Sequence, residues 1–191
     1  MPTIVDYDHA LQRLTQKGLI CNYHNSGAFG FARGEPIQIV GWVGPDDETI
    51  RDAMRPNVLR VPPPYDTTLA RLTARVQTEL LNDVAWAMPM SHWAYELVFG
   101  SESWMPALLE RIGINAADLK TRNNGSALEF ASGAPELEIF IQGLMQGLAD
   151  SSDFMLAFAD RPVLCMAHHH QQLWWMTRDE SLAAELRAMV G

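Results

Sequence analysis

An α+β fold is predicted, with a mixed or antiparallel sheet packed against several helices, and three observations predict it. Apolar stripes at helical spacing are interspersed with short β-rich runs, without the regular strand-helix alternation of a parallel sheet. Three β-rich runs follow one another early in the chain, as an N-terminal meander would require. Later, two almost uniformly apolar runs read as C-terminal hairpin strands covered on both faces of a sheet. With 191 residues, 48% of them hydrophobic, and no linker-like or low-complexity stretch, residues 1–191 are expected to form one domain around one core.

The elements follow in order. Asp6 can cap a first helix in which Ala10, Leu11 and Leu14 share a face, and Gly18 supplies its stop. The runs LICNYH, AFGFA and IQIVGWVG, separated by NSG and RGEP, make the meander. GPDDETIRDAM sets a proline and acidic residues where a helix would begin. RVPPPY is held extended, because each proline fixes its own φ and restricts its predecessor. From Asp66 to Trp86, the stripe Leu69, Leu72, Val76, Leu80 and Val84 predicts one long helix, ended by Pro89. SHWAYELVFG fits a short helix or a strand equally well.

SESWMPALLERIG and NAADLKTR predict two short helices broken at Gly113, the second capped by Asn115, and ALEFAS reads as a strand. Pro135 opens a helix whose apolar face carries Leu137, Phe140, Ile141, Leu144, Met145 and Leu148. Gly143 and Gly147 each cost that helix about 1 kcal/mol relative to alanine, which close approach of another backbone would offset. FMLAFA, the turn DRP, VLCMAH and LWWMT supply the final strands. A last helix starts at Asp179, with Thr177 and Glu180 spaced as a capping box.

Charge narrows the function classes. Fourteen basic against 23 acidic side chains leave a net charge of −9, which disfavours nucleic acid and favours a basic protein partner. No apolar run approaches the roughly 18 to 20 residues of a membrane span, and no secretory leader is recognisable, so a cytoplasmic protein is expected. Two widely spaced cysteines, Cys21 and Cys165, fit free thiols in a reducing compartment.

The chemistry-bearing residues concentrate in PVLCMAHHHQQLWWM, residues 162–176. His168 and His170 would share one face of an extended segment, with His169 on the face of Cys165, and Trp174 and Trp175 would fill opposite faces of the next strand. The plain expectation is the polar turn of a hairpin between apolar strands. Both cysteines precede a histidine by three residues, Cys21 with His24 and Cys165 with His168, which with His169 and His170 makes a candidate ligand set for zinc or another divalent metal. Strand parity opposes it, since residues i and i+3 face opposite ways unless a turn or bulge intervenes.

His92 and Glu96, spaced i and i+4, could share a helix face. GAFGFARG lacks the pattern of a phosphate-binding loop, and Ser91, Ser101 and Ser126 lack a nucleophile elbow. ALLERIGINAADLKTR has the rhythm of a helix-turn-helix, but Arg111, Lys120 and Arg122 are thin cover for a DNA-reading face.

By elimination, the leading expectation is a non-enzymatic binding or protein-interaction domain, with His168, His170, Trp174 and Trp175 as binding residues. The first alternative is a metal-binding protein or metal-dependent enzyme built on His168 to His170, and the second is a small-molecule pocket lined by tryptophan and methionine. Whether the chain is an enzyme is left open by the sequence, and no cofactor beyond that metal is implied.

Overall fold

The computed structural model describes residues 1–21, 29–31, 38–43, 58–90, 104–119, 126–147, 153–158, 160–168 and 171–189. The strands are β1 (Thr3–Asp6), β2 (Leu19–Cys21), β3 (Phe29–Phe31), β4 (Gln38–Val43), β5 (Val58–Arg60), β6 (Ala85–Met90), β7 (Ser126–Phe130), β8 (Asp153–Phe158), β9 (Val163–His168) and β10 (Gln172–Thr177). The helices are α1 (Tyr7–Gln16), α2 (Tyr65–Arg75), α3 (Met105–Arg111), α4 (Pro135–Gly147) and α5 (Glu180–Ala188). Eight strands form one sheet in the order β1-β7-β6-β8-β9-β10-β4-β5, with antiparallel neighbours except for parallel β4 and β5. The α+β class and the C-terminal hairpin are as expected, and the apolar β8 and β9 do occupy the middle of the sheet.

The meander divides. β2 and β3 pair with each other in a separate two-stranded sheet, while β4 joins the large sheet against β10. A six-pair ladder with β10 offers more backbone hydrogen bonds than the three-residue β3 can, which accounts for the choice. The edge strands β1 and β5 were not anticipated; at four and three residues, neither carries enough alternation to be read.

The long helix expected from Asp66 to Trp86 is also corrected. α2 passes into a π-helical turn at Val76–Leu81, Asn82 adopts a left-handed φ of 44°, and Ala85 to Met90 then run as the strand β6. Pro89 pairs with Phe154 of β8 beyond the point where the ladder with β7 stops at Ala87, so it stands on a stretch of β6 with a ladder on one side, a place where strands tolerate proline. The second of the two short helices shrinks to a single 3-10 turn at Ala116–Asp118, although Asn115 does cap it by accepting from the Ala117 N–H at 3.0 Å. α5 is capped by Asp179, whose carboxylate accepts from Ser181 and Leu182; Thr177 instead braces Asp179 itself. The stretches GPDDETIRDAM and SHWAYELVFG lie outside the described residues.

Helices cover both faces of the sheet. α2, α3, α4 and α5 bury Leu69, Leu109, Phe140, Leu144 and Leu186 against Phe158, Cys165, Leu173 and Trp175. On the opposite face α1 sets Ala10 and Leu14 on Trp86, Met88, Met155 and Leu164. The Arg13 guanidinium lies 5.3 Å from the Trp86 ring, and the indole N–H of Trp86 donates to Glu129 at 2.8 Å, which pins α1 over that half of the sheet. The two helix glycines are occupied by side chains rather than by a second backbone: a Cβ at Gly143 would strike Leu108 of α3, and one at Gly147 the ring of Trp104. Among the described residues, no helix is long and apolar enough to cross a membrane.

A buried polar hub closes the end of the sheet where β6 begins. Gln77, fully buried in the π-helical turn, points its amide nitrogen at the carbonyls of Asp83 and Phe130, both at 3.1 Å, and of Ala131 at 3.2 Å. Asp83, 6% exposed, accepts from its neighbour Val84 at 2.6 Å and, across the fold, from the N–H groups of Asp160 and Arg161 at 2.7 and 3.0 Å. The start of β6, the end of β7 and the turn between β8 and β9 are thereby tied to one helix.

Candidate functional site

β9 and β10 pair His168 with Gln172 and Met166 with Trp174, so three residues connect the two strands of the hairpin. Gln171 occupies a left-handed conformation, φ 56°, of the kind such loops use, and its side-chain amide donates to the Met145 carbonyl of α4 at 3.1 Å, anchoring the turn. On the other side of β9, the register with β8 pairs Phe154 with Ala167 and Met155 with Met166. Extended by one residue, it places Asp153 beside His168. Asp153, His168 and Gln172 therefore form one row across β8, β9 and β10, and Met155, Met166 and Trp174 form the next.

This corner lies on the α1 face of the sheet but beyond the part that α1 covers. Met166 and Trp174 are half-buried there, whereas Met155 under α1 is fully buried. The Nε2 of His168 stands 3.9 Å from a carboxylate oxygen of Asp153, too far for a hydrogen bond. Its ring centroid is 6.0 Å from that of Trp174, and the Trp174 indole N–H donates to the Gln172 Oε1 at 2.9 Å.

That last contact fixes the glutamine. An indole nitrogen can only donate, so the oxygen of the amide must face it and the NH₂ must point elsewhere. Gln172 is 1% exposed, and its Nε2 is buried with no hydrogen-bond acceptor. An unmet buried donor costs about 1–3 kcal/mol. The next row of this face carries Met155, Met166 and Trp174, yet this position carries an amide.

The structure brings His168 and Trp174 together and separates them from two other expected partners. Trp175 points to the helix-packed face, fully buried and stacked on Phe158 at 5.7 Å. Cys165 points the same way; burial pushes its thiol well above the ordinary range, leaving it protonated and inert. Cys165 and His168 thus lie on opposite faces, as strand parity demands, and cannot meet at one ion. Cys21 ends β2 in the separate sheet. His24, His92, Glu96, His169 and His170 lie outside the described residues.

Among the described residues, no three His, Cys, Asp or Glu side chains converge. Two ligands of a tetrahedral ion, each about 2.0–2.1 Å from it, stand about 3.4 Å apart, so the 3.9 Å gap between His168 and Asp153 would have to close. A shallow groove of about 450 Å³ beside α3, lined by Pro106, Glu110, Gly113, Ile114, Asn115 and Ala116, has neither tryptophan nor methionine in its wall.

Asp153 and Gln172 were not among the residues singled out from the sequence. Gln172 could have been found from the hairpin itself, since a three-residue loop after His168 sets residue 172 opposite it. Asp153 carries no such local signal, because it arrives from another strand. No family model, curated protein or solved structure matches the chain.

Proposed function

We propose that this chain is a non-catalytic binding domain whose ligand seats at the corner formed by Asp153, His168, Gln172 and Trp174. The observation that carries this is the Gln172 amide nitrogen, oriented by Trp174 and buried without an acceptor. Native cores satisfy nearly all of their buried donors, and one left unmet beside a half-buried aromatic ring is where an incoming acceptor gains most. The corner pairs one imidazole with one carboxylate and holds no nucleophile among the described residues, which supports binding over chemistry.

Thermal unfolding against a panel of small polar compounds tests it. A ligand at a hundredfold excess over its Kd is expected to raise the midpoint by roughly 5–10 °C. The variant Gln172→Met should lose that shift. An equal shift in the variant, or no shift from any compound, contradicts the proposal.

The net charge of −9 supports a second and compatible reading, a basic protein docked elsewhere on the surface, whose mark is binding that weakens steeply with salt. Two widely spaced cysteines, one of them buried and unpaired, support action in a reducing compartment such as the cytoplasm.

A further inference from the structure

We infer that the outer edge of β1 and the groove beside α3 together dock an extended segment of a basic protein, which joins the large sheet as an added strand. The inference rests on the reading that a basic protein binds this acidic chain, and it names the surface.

β1 ends the sheet, and among the described residues it pairs with β7 alone. Alternate residues of a strand direct their N–H and C=O groups to opposite sides, so every second residue of β1 aims its groups away from β7. The other edge, β5, is three residues long and includes the charged Arg60, a device that discourages pairing. β1 differs. Its one charged side chain, Asp6, stands at its end and is engaged in capping α1, while Thr3 and Ile4 are exposed.

Apolar surface gathers at the same place. Met1 and Ile4, 88% and 37% exposed, are the exposed large hydrophobic side chains among the described residues. Leu128 pairs with both Ile4 and Ala87, which puts Ile4 on the sheet face that α3 packs against. Met1 extends this surface to the groove. Its ammonium is held by Glu136 of α4 at 3.1 Å, and its Sδ lies 3.0 Å from where a Cβ on Gly113 would stand, in the groove wall with Pro106, Ile114 and Ala116. A strand edge, two exposed apolar side chains and a groove therefore adjoin, and a contiguous patch of this kind marks an interaction site where scattered apolar residues do not.

The surroundings also state the occupant's chemistry. An edge selects an extended backbone, and alternate side chains of that backbone are read by what lies beside them. Added antiparallel to β1, as β7 is, a strand sends its C-terminal end towards Met1 and the groove. Apolar side chains suit the stretch beside Ile4. A basic one at the groove end meets Glu110, which is exposed and takes part in no ion pair among the described residues. A second copy of this chain fits less well, since it sets one charge of −9 against another.

The test titrates the full chain, labelled with nitrogen-15, with the hexapeptide acetyl-Thr-Val-Thr-Val-Thr-Lys-amide at low salt, following the amide signals of Thr3 to Asp6 and of Gly113. Two controls are the same peptide ending in glutamate and the lysine peptide N-methylated at alternate residues, which cannot complete a ladder. Saturable shifts of those signals are expected from the lysine peptide, with both controls at least tenfold weaker. Glu110→Lys, at an exposed position, should reverse the preference between lysine and glutamate, a change that a merely structural role would not produce. Ile4→Thr should weaken the lysine peptide at least threefold.

Equal binding of the N-methylated peptide would overturn strand addition. If the lysine peptide bound but moved signals elsewhere, the β1 edge would be overturned and the basic partner would stand. Shifts of the β1 signals with protein concentration alone would make a second copy the occupant and overturn the inference. If the lysine peptide bound nowhere, or no better than the glutamate peptide, both the edge and the basic partner would fall.

Discussion

Two buried glutamines sit at distinct polar sites of this fold, and they solve the same problem in opposite ways. Gln77 directs its nitrogen at three backbone carbonyls and so converts a side chain into a clamp on β6 and β7. Gln172 spends its oxygen on a neighbouring indole and leaves its nitrogen without an acceptor. Gln77 also has an unmet atom, its Oε1, but donors left unpaired are the rarer and less tolerated case. The difference separates a polar group retained for architecture from one whose best partner is absent from the chain's own described hydrogen bonds.

Disrupting the hub should have the largest consequence. Asp83→Ala leaves three backbone N–H groups without their acceptor, two of them in the turn that joins β8 to β9. A loss of about 3 kcal/mol is expected in urea unfolding. If the loss were under about 1 kcal/mol, the hub would not be the structural member of the comparison.

A smaller effect sharpens the other side. Gly147→Ala forces a methyl group into the Trp104 ring at the end of the helix whose Met145 carbonyl anchors Gln171. Overpacking of about 1–3 kcal/mol, partly offset by alanine's better helix propensity, leaves an expected net loss of about 1 kcal/mol. The hairpin should feel it, so faster amide exchange near residue 171 than near residue 83 is the accompanying expectation.

Asp66 provides the smallest effect, at a third polar site. The Gln146 amide, with help from Gln142 and the Thr67 backbone, holds its carboxyl below the ordinary aspartate range. A folded-state pKa below the unfolded value means stability that is present above the unfolded pKa, about 3.9, and is lost as the pH falls through the folded one. The stability difference between the wild type and Asp66→Asn should therefore narrow between pH 6 and pH 3, while both glutamine sites respond equally in the two proteins. A gap that widened in acid would contradict this.

What the sequence disclosed follows the reach of its signals. α1, α4 and the hairpin of β9 and β10 were legible because each is specified within a dozen residues, by a stripe, a cap or a turn. β6 was hidden because VAWAMPM prolongs the apolar stripe of α2. Only the left-handed Asn82 and the pairing with β8, neither visible locally, break the helix there. VLCMAH was readable as a strand ending at His168, while His169 and His170 lie outside the described residues. The corner was not, since Asp153 reaches it from β8, and the value of Gln172 depends on which of its two amide atoms Trp174 occupies.

The most direct measurement gives both glutamines the same substitution. Urea unfolding of Gln77→Met and Gln172→Met, each against the wild type, compares loss of the clamp with loss of the unmet donor. The first is expected to cost about 3 kcal/mol, because three carbonyls lose their donor. The second should stay within about 1 kcal/mol of the wild type or exceed it, because the buried orphan disappears and the half-buried Trp174 can turn its N–H to water. Equal losses in the two variants would show that Gln172 is architectural after all, and the binding corner would lose its foundation.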